Sequence, residues 1–543
     1  MMGRAGCVVP ILLCLFYGTG GLPRVDPLVE TNVGLIRGLR ATDGEYSMFL
    51  GIPYATVDPA NPFGPSTPHP GFETTFEAID DSSKCPHVEE FNNTLVGSID
   101  CLQLSIFVPT TANSRNRRPV MVWIHGGGFV IGFAGRYAYG PKFFMKQDVI
   151  LVMMNYRLGP YGFMCLDTPE VPGNQGLKDQ LSALRWIKEN IEAFGGDSDQ
   201  ITIFGESAGG ASVDYHLVYT EEDLFNNVII QSGTTLSPFS VANSNPNAPF
   251  ILAEHLGFVT ENLDEALQFL SSTDTDLVIA ASLALNLQMA PCIEKEFENV
   301  EHFATAHPST MNIPKAKTVP ILLGFNNNEQ FASFASLPAE VLQNLDPFTD
   351  VGNYFNFDDV YLADMVAHIR QFYIGDNDMN ENVRQQLANF YGDLYFYHPT
   401  YRSIRKYFEN GASTIYHYVF SYDGDRNFVK RKVNVTAEGA LHADELSYLF
   451  DVGLFPETPT PEDQLIIDRI TTMWANFAKY RNPTPEITDI LPIQWPAITN
   501  ENLYCLNIDS ELTVEKRLFH ERMAFWDLFY KLNESYLKVD KEN

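Results

Sequence analysis

The chain has 543 residues, 45% of them apolar, and acids outnumber bases 68 to 36 for a formal net charge of −32. That balance argues against nucleic acid and anionic membrane surfaces as partners, since both need a basic footprint, and it reads most simply as solubility. Length alone would suggest roughly three or four domains, a prior that α/β domains with long insertions routinely overrun.

At the N-terminus Arg4 precedes an apolar stretch from Cys7 to Tyr17 and the small residues Gly18, Thr19 and Gly20. This pattern predicts a secretory signal over 1–20, too short to span a bilayer, which takes about 20 residues. No later stretch has the length and apolarity of an anchor, and the terminal KVDKEN carries neither a lipid-anchor nor an ER-retention pattern. Secretion without a membrane anchor is the expectation. Sequons at Asn92, Asn434 and Asn533 are the expected glycosylation sites.

Five cysteines remain beyond the signal. Cys85 and Cys101 are close in sequence and flank a polar, turn-rich loop, so they are expected to pair, contributing roughly 3 kcal/mol in the chain-entropy model. Cys165, Cys292 and Cys505 read as buried thiols, and no spacing suggests a metal site. The densest basic stretch, RNRR at 115–118, lies between polar residues and an apolar run and reads as a solvated loop.

The next elements are VMVWI (120–124), VILVMMNY (149–156) and ITIF (201–204), all nearly continuous apolar runs. They predict strands buried on both faces of a largely parallel sheet. Between the last two, Leu177, Leu181, Leu184, Ile187 and Ile191 recur at helical spacing and Gly195-Gly196 supplies the stop. A right-handed strand–helix–strand crossover follows from this order. Further strands are predicted at VIIQSG (228–233), VPILLGFN (319–326) and TIYHYVFSY (414–422). The intervening 234–318 and 327–413 read as helical or irregular insertions on that sheet.

FGESAGGAS (204–212) contains G-x-S-x-G, which a chain of this length shows by chance about 0.2 times. Context decides: ITIF is a strand and AGGASVDYHLVY (208–219) can begin a helix, placing Ser207 on a strand-to-helix elbow. A serine needs a base and an orienting acid to act as nucleophile, and donors for the developing oxyanion. His125-Gly126-Gly127-Gly128 directly follows a strand, so the N–H groups of Gly127, Gly128 and Ala208 are the candidate oxyanion hole.

These stretches, with FLGIPYA (49–55), DCLQLSIFVP (100–109), NYRLGPYGF (155–163), GNQGLKDQLSALRWIKENI (173–191) and MWANFAKYRNPTP (473–485), resemble the secreted type-B carboxylesterase and cholinesterase family of α/β-hydrolases. The resemblance spans the mature chain and implies one catalytic domain over 21–543 with an α/β-hydrolase fold. Family order is nucleophile, acid, histidine. It places the acid at Glu329, where Asn328-Glu329-Gln330 replaces the usual Asp-Glu-Gly. Nine histidines follow Ser207, and spacing alone does not choose among them. The resemblance places the base at His442 in EGALHADELSYLF, while His417 reads as a packed strand residue. Glu206 and Ser232 resemble supporting residues, although Ser232 can equally be a strand-end serine. Ester hydrolysis through an acyl-enzyme is implied, with activity falling as pH drops through roughly 6.5, the unperturbed histidine value.

Two departures carry information. The Cys85–Cys101 loop lacks the tryptophan on which cholinesterases bind a choline cation, which argues against acetylcholine. Pro62-Phe63 and Ile99-Asp100 stand where relatives carry an Arg-Phe and a Glu, resembling a buried ion pair lost on both sides at once, a change that can be neutral. The expected substrate is a small, volatile acetate-type or xenobiotic ester, as in insect antennal or integument esterases. Juvenile hormone esterases, which tend to have Gln at the position of Glu206, are the close alternative. A slow ester-binding scavenger or an adhesion-type member that has lost catalysis is the non-enzymatic alternative. No cofactor or metal is expected, and the chain is expected to be a monomer or homodimer.

Overall fold

The computed structural model describes residues 27–456 and 458–538; the expected signal over 1–20 lies outside them. At its centre is an eleven-stranded sheet. In chain order the strands are β1 (Leu39–Arg40), β2 (Tyr46–Pro53), β3 (Gln103–Pro109), β4 (Arg118–Ile124), β5 (Ile150–Met154) and β6 (Gly196–Glu206). They continue with β7 (Asn227–Gln231), β8 (Ile321–Asn326), β9 (Ile415–Phe420), β10 (Tyr504–Ile508) and β11 (Thr513–Lys516). The spatial order is β11-β10-β9-β8-β7-β6-β4-β5-β3-β2-β1.

From β5 through β4 and β6 to β10 every neighbouring pair is parallel. The strands at the two ends pair antiparallel. The continuous apolar runs are explained by this placement, because β5, β7, β8 and β9 are buried at every residue. Alternate residues feed two cores: Val120, Val122 and Ile124 face one, Met121 and Trp123 the other.

Helix α1 (Gln175–Asn190) crosses from β5 to β6 and packs Leu181, Leu184 and Ile187 into the first core. It tightens into a 3₁₀ turn at Ile191–Phe194 and stops at Gly195, which adopts φ 82°. Helix α2 (Ala208–Tyr219) follows β6, and α3 (Pro461–Tyr480) covers the opposite sheet face with Ile466, Ile470 and Trp474. Among the described residues no helix is long and apolar enough to cross a membrane.

The Cys85–Cys101 disulfide is present, and Cys505 is a buried free thiol. Cys165 and Cys292 are not thiols as the sequence suggested; they form a second disulfide. Their separation of 127 residues hides the pairing in sequence, and the fold creates it by returning the first insertion to the β5–α1 connection. Asn174 clamps the return, accepting the Cys292 N–H at 2.8 Å and donating to the Cys292 carbonyl at 2.8 Å.

Asn533 is also corrected. It is only 1% exposed; its amide donates to the Phe529 carbonyl at 2.9 Å and its oxygen accepts the Tyr361 hydroxyl at 2.9 Å. A glycan has no room there in the folded chain, whereas Asn92 and Asn434 are exposed. At the two positions where the resemblance implied an absent ion pair the packing is apolar: Phe63 stacks on Tyr161 at 5.1 Å, and Ile99 packs against the same cluster.

Candidate active site

Ser207 joins β6 to α2 with φ 57° and ψ −123°, a region that costs a non-glycine residue about 1 to 3 kcal/mol. Its N–H is held by the Gln231 carbonyl at 2.8 Å. The flanking glycines are required by crowding: a Cβ on Gly205 would meet the Gly209 carbonyl carbon at 2.5 Å, and one on Gly209 would strike the Ile124 carbonyl oxygen.

The acid and base arrive from the ends of later strands. His442 Nε2 lies 2.9 Å from Ser207 Oγ, and its Nδ1 lies 2.6 Å from Glu329 Oε2. Glu329 follows β8 and is fully buried. Its Oε1 accepts the Ser232 hydroxyl at 2.7 Å and the Asn326 N–H at 2.8 Å, so every lone pair that matters is directed. The substituted loop holds its shape through Asn328, whose amide donates to the Glu438 carbonyl at 3.1 Å and whose N–H donates to the Ala440 carbonyl at 3.0 Å. These bonds tie the acid's loop to the histidine's.

Glu206 Oε1 stands 3.2 Å from the same His442 nitrogen that faces the serine. Burial pushes the Glu206 carboxyl well above the usual carboxylate range, against the pull of His442. Burial alone would lower His442, but the Glu206 and Glu329 carboxylates overrule it and hold the imidazole up to about 10. Two touching groups both raised in this way compete for one proton. The unperturbed value near 6.5 therefore does not describe this histidine. Glu445, three residues past His442, completes the ring of acids; burial and then Glu329 push it up to about 7, and it accepts from Asn326 at 2.7 Å and Gln231 at 3.0 Å. Sequence reasoning missed Glu445, and only its placement in HADE next to the base hints at it.

The other histidines near the sheet do not compete. His417 is buried in β9 against the Leu323 carbonyl, and burial lowers it to about 4. His125 is buried, stacks on Tyr156 at 4.5 Å and is likewise lowered by burial to about 4.

After β4 the chain turns through Gly127 (φ 107°) and Gly128 (φ 62°), conformations that glycine adopts without strain. The Gly127 carbonyl accepts the N–H groups of Val130 and Ile131, closing the turn. Gly126, Gly127 and Gly128, with Glu206, Ser207, Glu329 and His442, line a cavity of about 400 Å³. Ile131, Tyr139, Leu446 and Val452 make its apolar walls, and Phe91 from the Cys85–Cys101 loop closes one side.

A mostly parallel sheet whose strand ends bring a serine on an elbow, a carboxylate and a histidine into one hydrogen-bonded line defines an α/β-hydrolase. Within that class the chain belongs to the carboxylesterase family, whose sequence model matches residues 25–526. A juvenile hormone esterase of Tribolium castaneum is 30% identical over 556 residues, covering 92% of this chain and 93% of its own. An acylcarnitine hydrolase of Mus musculus is 29% identical, covering 98% and 96%. The crystal structure of a juvenile hormone esterase from Manduca sexta with OTFP covalently attached superposes with a TM-score of 0.82 at 25% identity, covering 93% of this chain and all of that one. The protein is a carboxylic ester hydrolase.

Proposed function

We propose that this protein is a secreted serine carboxylesterase that works through an acyl-enzyme on Ser207. The observation that carries the reading is the unbroken line from Ser207 Oγ through His442 to Glu329, 2.9 Å and 2.6 Å long, at the base of the 400 Å³ cavity. Ser207 Oγ attacks the ester carbonyl carbon as its proton passes to His442 Nε2. The N–H groups of Gly127, Gly128 and Ala208 hold the oxyanion. The C–O bond to the alcohol breaks as His442 returns the proton to the leaving oxygen, and water repeats the sequence to free the acid. Glu329 orients the imidazolium through its 2.6 Å bond to His442 Nδ1, and Ser232 fixes the orientation of Glu329.

One catalytic unit over 21–543, a removed signal over 1–20 and glycans at Asn92 and Asn434 belong to this reading. The substrate class is a small acetate-type or xenobiotic ester, which the size and apolar walls of the cavity suit. A juvenile-hormone-type methyl ester is the second reading, supported by the names of two of the relatives. Purified protein, with Ser207→Ala as control, is assayed against acetate esters, longer acyl esters, a juvenile-hormone-type methyl ester and a choline ester. Turnover abolished by the serine substitution is expected. No turnover of any ester sinks the proposal, a burst without steady turnover converts it to a scavenger, and preference for choline overturns the argument from the missing tryptophan.

A further inference from the structure

Phe91 and Phe428 also border a second, outer cavity of about 610 Å³. Their ring centroids lie 5.7 Å apart, so one aromatic pair separates the catalytic space from this one. The outer cavity is lined by Lys84, Arg431 and Lys432, with Leu454 and Phe455 between them. Among the described residues no carboxylate pairs with any of the three cations. Their contacts are with rings and a carbonyl: Lys84 Nζ stands 3.9 Å over Phe133, the Arg431 guanidinium 5.6 Å from Phe455, and Lys432 Nζ 5.7 Å from Phe428 with a bond to the Glu90 carbonyl at 2.7 Å.

The described acids nearby form no ion pair with these cations, although the Glu90 carboxyl feels the Lys432 charge and Glu438 borders the next cavity with Arg431. Glu89 borders the same cavity but is buried and accepts the Asn92 N–H at 3.2 Å. Glu90 belongs to the lining of the catalytic cavity. Asp423, beside the next cavity along, is held by Lys430 at 2.6 Å. Three cations without ion-pair partners around an apolar floor are out of proportion in a chain with 36 bases and 68 acids. Each cation rests beside an aromatic face, and Arg431 and Lys432 are exposed, so the three charges are open to a ligand.

We propose that the outer cavity is a subsite for the anionic end of an ester whose scissile bond lies at Ser207, a carboxylate, sulfonate or phosphate borne on an apolar chain or ring that runs past Phe91 and Phe428. The proposal rests on the esterase reading and narrows its substrate class.

The test compares para-nitrophenyl monoesters of the straight-chain dicarboxylic acids, succinate to sebacate, with para-nitrophenyl alkanoates of equal length. A parallel arm puts the charge on the alcohol side, as sulfonated phenyl alkanoates. N-deglycosylated enzyme is used because Asn92 borders the cavity. The wild type is expected to favour the charged ester at one chain length through a lower KM, and the better arm assigns the anion to the acyl or the alcohol portion. In the K84Q/R431Q/K432Q variant kcat/KM for the charged esters should fall about tenfold, as three partly exposed pairs allow, with neutral esters unchanged. Equal losses on charged and neutral esters, or none on charged ones, overturn the subsite. Failure of the wild type to cleave any ester defeats the esterase reading alone. The subsite is then read by calorimetric binding of octanesulfonate to the wild type and the triple variant: weaker binding to the variant supports it, and equal binding overturns it.

Discussion

Replacing Glu206 by glutamine separates the basicity His442 owns from the basicity its neighbours lend it. The Glu206 oxygen lies 3.2 Å from His442 Nε2. At an effective dielectric of about 20, unit charges at that distance interact by roughly 5 kcal/mol, equivalent to roughly three to four pKa units. Glu206 is itself pushed up by burial, so the proton is shared and only part of that energy is expressed. We expect the acid limb of kcat/KM to move down by about one to two units in E206Q. The sign follows from the chemistry: an imidazole raised by an anion stays protonated to higher pH, and only the neutral ring can take the serine proton. The wild type should therefore lose activity on acidification at a pH above 6.5, and the amide variant at a lower one. The assay is kcat/KM across the pH range on an ester with a good leaving group, with circular dichroism at each pH to exclude unfolding. An acid limb that stays in place or moves upward in E206Q refutes the coupling.

Ser232→Ala removes the 2.7 Å bond to Glu329 but leaves the Asn326 N–H in place; kcat should fall about tenfold with KM little changed, and unchanged steady-state kinetics would show that the serine only ends a strand. Breaking the second disulfide with Cys165→Ala and Cys292→Ala opens a 127-residue loop and should cost up to about 5 kcal/mol in denaturant unfolding, against about 3 for the Cys85–Cys101 pair; equal losses would contradict the loop-entropy account. Asp179→Asn strands the fully buried Arg157, whose guanidinium makes bonds of 2.7 and 2.8 Å to that carboxylate, and should destabilise the fold by about 3 to 5 kcal/mol. Peptide mass spectrometry before and after glycosidase treatment should find sugar at Asn92 and Asn434 and none at Asn533.

The legible part of this fold was the part buried on both sheet faces. The runs at β4 to β9 are apolar without alternation because neither face meets water, and each was readable from sequence. The strands β2 (YSMFLGIP) and β3 (QLSIFVP) are almost as deeply buried, yet Ser47, Gly51, Pro53, Gln103 and Ser105 interrupt their pattern, so they stood out only as family stretches. At the far edge β11 is mostly exposed, and TVEK has no strand signal to give. The site divides in the same way. The elbow and the glycine turn are local motifs whose spacing carries their geometry. Glu329 and His442 are 113 residues apart, and nothing in their surroundings distinguishes them from other acids and histidines until the sheet brings β8 and the loop after β9 together. Asn533 is the converse case: a sequon is a three-residue pattern, whereas burial against Phe529 and Tyr361 is decided by tertiary structure.

The missing tryptophan and the basic outer cavity meet at the Cys85–Cys101 loop, against which the segment 428–432 brings Phe428, Arg431 and Lys432. The Cys85–Cys101 disulfide pins a short loop whose aromatic residue, Phe91, faces both cavities, and it anchors Lys84 beside its first cysteine. Where relatives of the cholinesterase type hold a cation on a ring, the rings around the outer cavity, Phe133, Phe428 and Phe455, already carry the protein's own cations. A quaternary ammonium in the outer cavity would face Lys84, Arg431 and Lys432 beside Phe91 and Phe428, so choline esters are opposed by charge as well as by the absent platform. The chain's net charge of −32 acts in the other direction at long range, repelling anions before they arrive. Salt at physiological strength screens that repulsion beyond about 8 Å, while the three cations act within contact distance. Selection for an anionic substrate would therefore be expressed in how long the ester stays, in KM and not in the rate of encounter.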